Sequence, residues 1–123
     1  MQPYGLPRSG RLHLKRDFER VIFGGEKLKY NGVVLWYRRG EHNLPARFAV
    51  VVSRKLGPAV VRNRTKRLLR EAFRLIRKQV VPGVDIIVNP KDCSQLGNVQ
   101  AAQQALTTLF GSAGLLGSFT AST

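Results

Sequence analysis

The sequence predicts a single α+β domain, and three observations carry that reading. Three stretches, at 14–22, 58–79 and 98–110, show the apolar spacing of amphipathic helices. Three shorter stretches, at 30–38, 47–53 and 84–88, are rich in β-branched and aromatic residues. The 123 residues suffice for one hydrophobic core and would starve two, and the apolar share of 43% is ordinary for a chain that folds over most of its length.

Residues 1–11 carry Pro3, Pro7, two glycines and two arginines and read as a flexible basic arm. The folded domain is expected over 12–110. Leu14, Phe18, Val21 and Ile22 fall on one helix face, and Gly24-Gly25 ends that helix. Tyr30 to Arg38 reads as a strand, with Val34, Trp36 and Arg38 on one face and Val33, Leu35 and Tyr37 on the other. After a polar turn from Gly40 to Pro45, Arg47 to Ser53 reads as a second strand, antiparallel to the first. Pro58 suits the first position of the longest helix, which runs to about Gln79, ahead of Pro82-Gly83. Val84 to Val88 is a short buried strand broken by Asn89-Pro90. Asn98 caps a last helix that reaches Phe110 through Ala102, Ala105, Leu106 and Leu109. Residues 111–123, mostly Gly, Ser, Ala and Thr, read as a disordered tail.

The charge balance is far from ordinary. Twenty-one Lys and Arg face seven Asp and Glu, a net charge of +14. A compact domain with that imbalance repels itself unless a polyanion relieves it, nucleic acid before membrane. No run approaches the roughly 20 apolar residues of a membrane span, and the N-terminal residues do not resemble a secretory signal. One cysteine, Cys93, leaves no internal disulfide. The expected location is cytoplasmic, with no membrane and no obligatory protein partner.

Ten of the 21 basic residues lie between Arg54 and Lys78, where Glu71 is the one acid. On a helical wheel, Val61, Thr65, Leu68, Leu69, Ala72, Leu75 and Ile76 gather on one side, with Phe73 at its edge. Lys66, Arg67, Arg70, Arg74, Arg77 and Lys78 gather opposite, with Asn63 among them and Arg62 and Arg64 on the borders. A merely solvated helix face mixes signs. Here Arg67–Glu71 and Arg70–Glu71 are the only nearby opportunities, so the stripe reads as a phosphate-binding face. Its richness in arginine favours bidentate phosphate contacts.

At RNRTKRLLREAFR, Arg62 to Arg74, the chain resembles the protein subunit of bacterial ribonuclease P, whose basic helix has the form RNRxKRLxRExF. Arg62, Asn63, Arg64, Lys66, Arg67, Leu68, Arg70, Glu71 and Phe73 fit that form. LKRDFERV, VVLWY, VSRKLGPAVV and VDIIVNPK resemble other family segments in consistent order, over roughly residues 12–110. The resemblance implies an α/β sandwich with a central, mainly antiparallel sheet and a left-handed β-α-β crossover carrying the basic helix, the fold type of a ribosomal-protein domain. It implies a subunit of a ribonucleoprotein endoribonuclease that removes the 5′ leader of precursor tRNA. The RNA subunit performs the chemistry, with Mg2+ held mainly by RNA.

Carried over, Arg62, Asn63, Arg64, Lys66, Arg67 and Arg70 would contact the RNA subunit, with Arg54, Lys55 and Arg74 extending that surface. Against this, Arg62 on its border would brace the helix start. A cleft between the first helix and the sheet would bind the single-stranded leader through Phe18, Ile22, Trp36 and Arg38, since aromatic platforms beside cations suit unstacked bases. Ile22 stands where a second helix aromatic is common, and whether Ile22 or Phe23 takes that place is open. Phe18 and Trp36 would otherwise be core residues. His13 and His42 lack ligands at zinc spacing. Asp17 and Glu19 sit on different helix faces, a poor acid–base pair, and Asp85 is expected at the surface or in a salt bridge. The sequence thus offers no hydrolytic centre, and no catalytic residue is expected in the protein. The competing reading is a ribosomal or other structural RNA-binding protein, which needs the basic helix and no separate aromatic cleft.

Overall fold

The computed structural model of the protein describes residues 15–40, 45–94 and 96–117. The expected basic arm at 1–11, Leu14, both histidines, most of the 40–45 turn and the 118–123 part of the expected tail lie outside them. In chain order come α1 (Lys15–Gly24), β1 (Glu26–Tyr30), β2 (Val33–Arg39), β3 (Arg47–Val50), α2 (Ala59–Ile76), β4 (Val84–Pro90) and α3 (Val99–Ala113). Short 3-10 turns at Arg54–Leu56 and Arg77–Gln79 flank α2. The class is α+β, with a four-stranded, mainly antiparallel sheet in the order β1-β2-β4-β3.

The single strand expected at Tyr30–Arg38 is instead the end of one strand, a tight turn and a second strand. Asn31 and Gly32 have φ of 47° and 77°, the paired left-handed conformation of a two-residue hairpin, which Asn-Gly adopts more readily than any β-branched pair. Tyr30 therefore faces Val33 across the hairpin, and β1 pairs with β2 through to Glu26 and Tyr37. The side-chain alternation expected for Val33–Arg38 survives, because the turn precedes it.

The second strand is shorter than 47–53 and does not lie beside the first. β4 inserts between them, antiparallel to β2 and parallel to β3. A central strand is covered on both faces and needs a near-continuous apolar run. Val84, Ile86, Ile87 and Val88 supply it, whereas Arg47 suits an edge. β3, α2 and β4 form the β-α-β unit. Asn89-Pro90 does not break β4: both residues stay in the ladder opposite Val34 and Val33. Pro90 is tolerated because it is the strand's last residue.

The helices lie on opposite faces of the sheet. Val33, Leu35, Phe48, Val84, Ile86 and Val88 face α2 and α3 and seal the main core with Leu69, Phe73, Leu106 and Phe110. Phe73, expected at the edge of its helix face, is central. It stacks on Phe48 with ring centroids 4.2 Å apart and meets Phe110 edge-on at 6.0 Å. Leu75, expected in the core, is 47% exposed. The last helix runs past Phe110, Leu115 is buried, and Leu116 bridges to Val80. Residues 111–117 therefore belong to the folded body, not to a tail. A chain of Gly, Ser and Ala reads as too poor in apolar surface to order itself, but Leu115 and Leu116 anchor it.

Candidate nucleic-acid interface

The buried side of α2, from Thr65 through Leu69, Ala72, Phe73 and Ile76, fixes which way its cations point. Asn63, Arg64, Arg67 and Arg74 are exposed on the far side, as are Arg54 and Lys55 in the turn before it; Arg62, Lys66 and Arg70 are half-exposed. Arg64 and Arg74 are among the arginines partly engaged within the chain. Arg64 Nη2 donates to the Gly97 carbonyl at 2.9 Å, tying α2 to the loop ahead of α3. Arg74 donates to both carboxylate oxygens of Glu71, with Nε–Oε1 at 2.9 Å. Arg74, one turn on from Glu71, is thus an ion-pair partner that the sequence reading passes over. Its hydrogen bonds hold the Glu71 carboxyl below the usual glutamate range and raise Arg74. Arg62 is half-buried, and its Nε is buried with no hydrogen-bond partner among the described residues.

The other face of the sheet carries α1. Val21 is buried there on Ala49 and Ile87, and Phe18 and Trp36 pack against that cluster while remaining half-exposed. The structure therefore brings Phe18 and Trp36 together at one apolar floor. α1 ends at Gly24, and the N–H of the next residue, Gly25, donates to the Val21 carbonyl at 2.9 Å. A side chain at Gly25 would overlap the carbonyls of Val21 and Tyr37, so glycine alone lets the helix turn this closely onto β2. Arg38 is half-buried beside this helix end, its Nε 3.7 Å from where a Cβ on Gly24 would sit. A cation there complements the negative end of the helix dipole. Ile22 is 38% exposed and Phe23 82% exposed, and neither packs into the cluster.

Asp85, on the same sheet face, is paired in the floor. Arg47 Nε and Nη2 each donate to one of its oxygens at 2.8 Å. Among the described residues no three His, Cys, Asp or Glu side chains converge as metal ligands.

Beyond Trp36 the floor gains cations that the sequence reading does not find. The register puts Lys27 opposite Trp36 and Lys29 opposite Val34, so both lysines share the Trp36 face. Lys27 Nζ lies 5.2 Å from the centre of the indole, a cation–π contact. A hollow of about 360 Å3 opens here, with Lys27, Lys29, Tyr30, Val34, Trp36 and Lys91 among its walls. The signal was available in Asn31-Gly32: read as a hairpin turn, it aligns the lysines of EKLKY with Val34 and Trp36.

The chain is similar to known proteins of one family. Residues 6–114 match the family described as Ribonuclease P. A ribonuclease P protein component from Gluconacetobacter diazotrophicus is 40% identical over 86 residues, covering 69% of this chain and 74% of that one. One from Herpetosiphon aurantiacus is 38% identical over 104 residues, covering 85% and 84%. The solved Staphylococcus aureus RNase P protein superposes with a TM-score of 0.77 at 26% identity, covering 88% of this chain and 98% of that one. For the Thermotoga maritima RNase P protein the TM-score is 0.71 at 31% identity, covering 80% and 93%.

Proposed function

The chain belongs to the ribonuclease P protein family, and from that premise we propose that it is the protein subunit of ribonuclease P, binding the catalytic RNA with α2 and the 5′ leader of precursor tRNA with the Phe18–Trp36 floor. The observation that carries the reading is the coexistence of two surfaces. A structural RNA-binding protein needs a cation stripe such as α2 presents. It has no use for a second, half-open aromatic floor on the opposite face of the sheet.

The two surfaces divide the work. Arg62, Asn63, Arg64, Lys66, Arg67 and Arg70, extended by Arg54 and Lys55, neutralise phosphates where two polyanions, the RNA subunit and its substrate, approach each other. The floor holds the leader by stacking, which needs no particular base. Arg74 joins the RNA surface only by sharing its guanidinium with Glu71. Arg38 is a dipole partner of α1 first and a leader contact second. Magnesium in this proposal stays with the RNA, since Asp85, the one acid in the floor among the described residues, is already bidentate to Arg47. The protein works in the cytoplasm, where precursor tRNA is made.

The test is reconstitution. Protein freed of RNA and of contaminating nucleases is expected to leave precursor tRNA intact at every magnesium concentration. Adding a bacterial ribonuclease P RNA is expected to restore leader removal at magnesium concentrations where that RNA alone is inactive. Cleavage by the RNA-free protein would overturn the division of labour.

A further inference from the structure

The two edges of the sheet differ. At β3 the Val51 N–H donates to the Val88 carbonyl at 2.9 Å, so alternation turns the backbone groups of Phe48 and Val50 outward. Both of those residues are buried. At β1 the Asn31-Gly32 turn makes Tyr30 and Val33 a hydrogen-bonded pair, and with them Leu28 with Leu35 and Glu26 with Tyr37. The N–H and C=O groups of Lys27 and Lys29 therefore point away from β2. They meet no partner among the described residues, and both lysines are exposed. β1 is thus the open edge of the sheet.

That edge is held in place at both ends. The N–H groups of Lys91 and Asp92 donate to the Gly32 carbonyl at 2.7 and 3.2 Å, which ties the hairpin turn to the residues after β4. At the other end the Tyr37 hydroxyl donates to the Glu26 carboxylate at 2.7 Å. A fixed row of alternating donors and acceptors, about 17 Å long, is a template for an extended polypeptide, which offers the same alternation in return. Phosphates accept hydrogen bonds and do not donate them, so an RNA backbone leaves the lysine carbonyls unmet.

The side chains select which polypeptide. Lys27 and Lys29 lie on one face with Lys91, and no carboxylate lines the hollow they share. A second copy of β1, paired antiparallel about Leu28, would set lysine directly against lysine at both positions, which is destabilising. Lysines on an edge commonly keep other strands away. Here that exclusion depends on sign: the charges that repel a copy of β1 attract a strand with acids opposite them.

We propose that β1 is the docking edge for an extended acidic segment of another protein. The segment adds as a fifth strand, its backbone bonded to Lys27 and Lys29 and its carboxylates directly opposite their side chains. The edge lies three strand spacings, about 14 Å, from β3, against which α2 packs. Docking therefore leaves the cation face of α2 free, and the inference does not depend on where the leader binds.

The experiment uses the full-length protein, labelled with nitrogen-15, and a peptide of about seven residues in which valine and glutamate alternate and both ends are blocked. Antiparallel addition pairs the glutamates with Lys27 and Lys29, so glutamate N–H groups face β1 and valine N–H groups face away. At saturation the amide protons of Lys27 and Lys29 are expected to exchange about tenfold more slowly, with the exposed amides of α3 unchanged. Trp36, the only tryptophan, lies beside Lys27 and reports binding independently through its fluorescence. N-methylating the glutamates of the peptide is expected to abolish binding, and N-methylating the valines to spare it. A Lys27→Ala, Lys29→Ala double variant is expected to bind about fivefold more weakly. The N-methyl comparison uses wild type alone, so it stands even if that variant does not fold. An acidic peptide that fails to bind at millimolar concentration would overturn the proposal. So would binding that survives glutamate N-methylation and is displaced by single-stranded polyuridylate, which would make the lysines a charge patch for polyanions and not a strand edge.

Discussion

Beneath α2 and α3, Phe48, Phe73 and Phe110 are sealed in a continuous core, whereas beneath α1 the buried cluster is the small one of Val21, Ala49 and Ile87, and the rings of Phe18 and Trp36 stay half-open. One sheet thus has a thick side and a thin side. The thick side includes an aromatic stack and spans both long helices, so most of the apolar burial that stabilises the fold lies there. The thin side is covered by a ten-residue helix. Closing it with a longer helix would bury Phe18 and Trp36 and add stability, but a buried ring offers no face to a base. The comparison explains why a small domain leaves aromatic surface uncovered: folding is secured from the other side.

The sharpest way to break this comparison is to remove one ring from each side. Phe73→Ala is expected to destabilise the protein by about 3–5 kcal/mol, the range for a buried aromatic truncated to a cavity. Thermal or urea denaturation measures it. Phe18→Ala, on the thin side, is expected to cost clearly less, because part of its surface is already in water. Equal losses would mean that the two sides share the work of folding.

Trp36→Ala tests the thin side for binding. It is expected to weaken precursor tRNA binding by about 1–3 kcal/mol, the scale of one base–aromatic stack. Mature tRNA lacks the leader and should bind almost unchanged. The ratio of the two affinities is diagnostic once circular dichroism shows the variant folded. Equal losses for both RNAs would return Trp36 to the core.

The same contrast decides what is legible in the sequence. The thick side follows from periodicity, because a helix that buries Leu69, Ala72 and Ile76 has no freedom about where its cations point. The thin side depends on register, which periodicity does not carry. Reading Tyr30–Arg38 as one strand keeps Val34, Trp36 and Arg38 on one face but hides β1, and with it the lysines opposite Val34 and Trp36. Strand order is equally hidden: adjacency in sequence suggests β2 beside β3, and only the two-sided burial of Val84–Val88 puts β4 between them. The tail is misread for a third reason. Composition averages over residues 111–123, while two leucines suffice to dock 115–117.

The cation face of α2 gives a finer comparison, between the arginines along the helix and the one bound by Glu71. Arg64→Ala together with Arg67→Ala is expected to weaken binding to the RNA subunit. It should also lower the slope of log affinity against log salt by roughly 0.7–0.9 for each phosphate that the variant no longer neutralises. Arg64 also holds the Gly97 carbonyl, so a small loss of stability accompanies it. A folded double variant with unchanged affinity and slope would remove this face from the interface.

The smallest expected effect lies at the one acid of that face. Glu71 engages Arg74 with both oxygens, so Arg74 offers phosphate only what Glu71 does not hold. Glu71→Gln keeps the shape, removes the negative charge and releases the guanidinium. The variant is expected to bind the RNA subunit slightly more tightly, with a salt slope steeper by at most about one phosphate's worth. Acid should do the same to wild type. The Glu71 carboxyl titrates below its ordinary range because Arg74 hydrogen-bonds the charged form. The pair's small contribution to stability is therefore fully present above the ordinary glutamate pKa and is lost as pH falls through the lowered value. Over that same interval the affinities of wild type and Glu71→Gln should converge, since protonation frees Arg74 in wild type and changes nothing at position 71 of the variant. A difference that persists unchanged into acid would show that Glu71 acts on the RNA directly, not through Arg74.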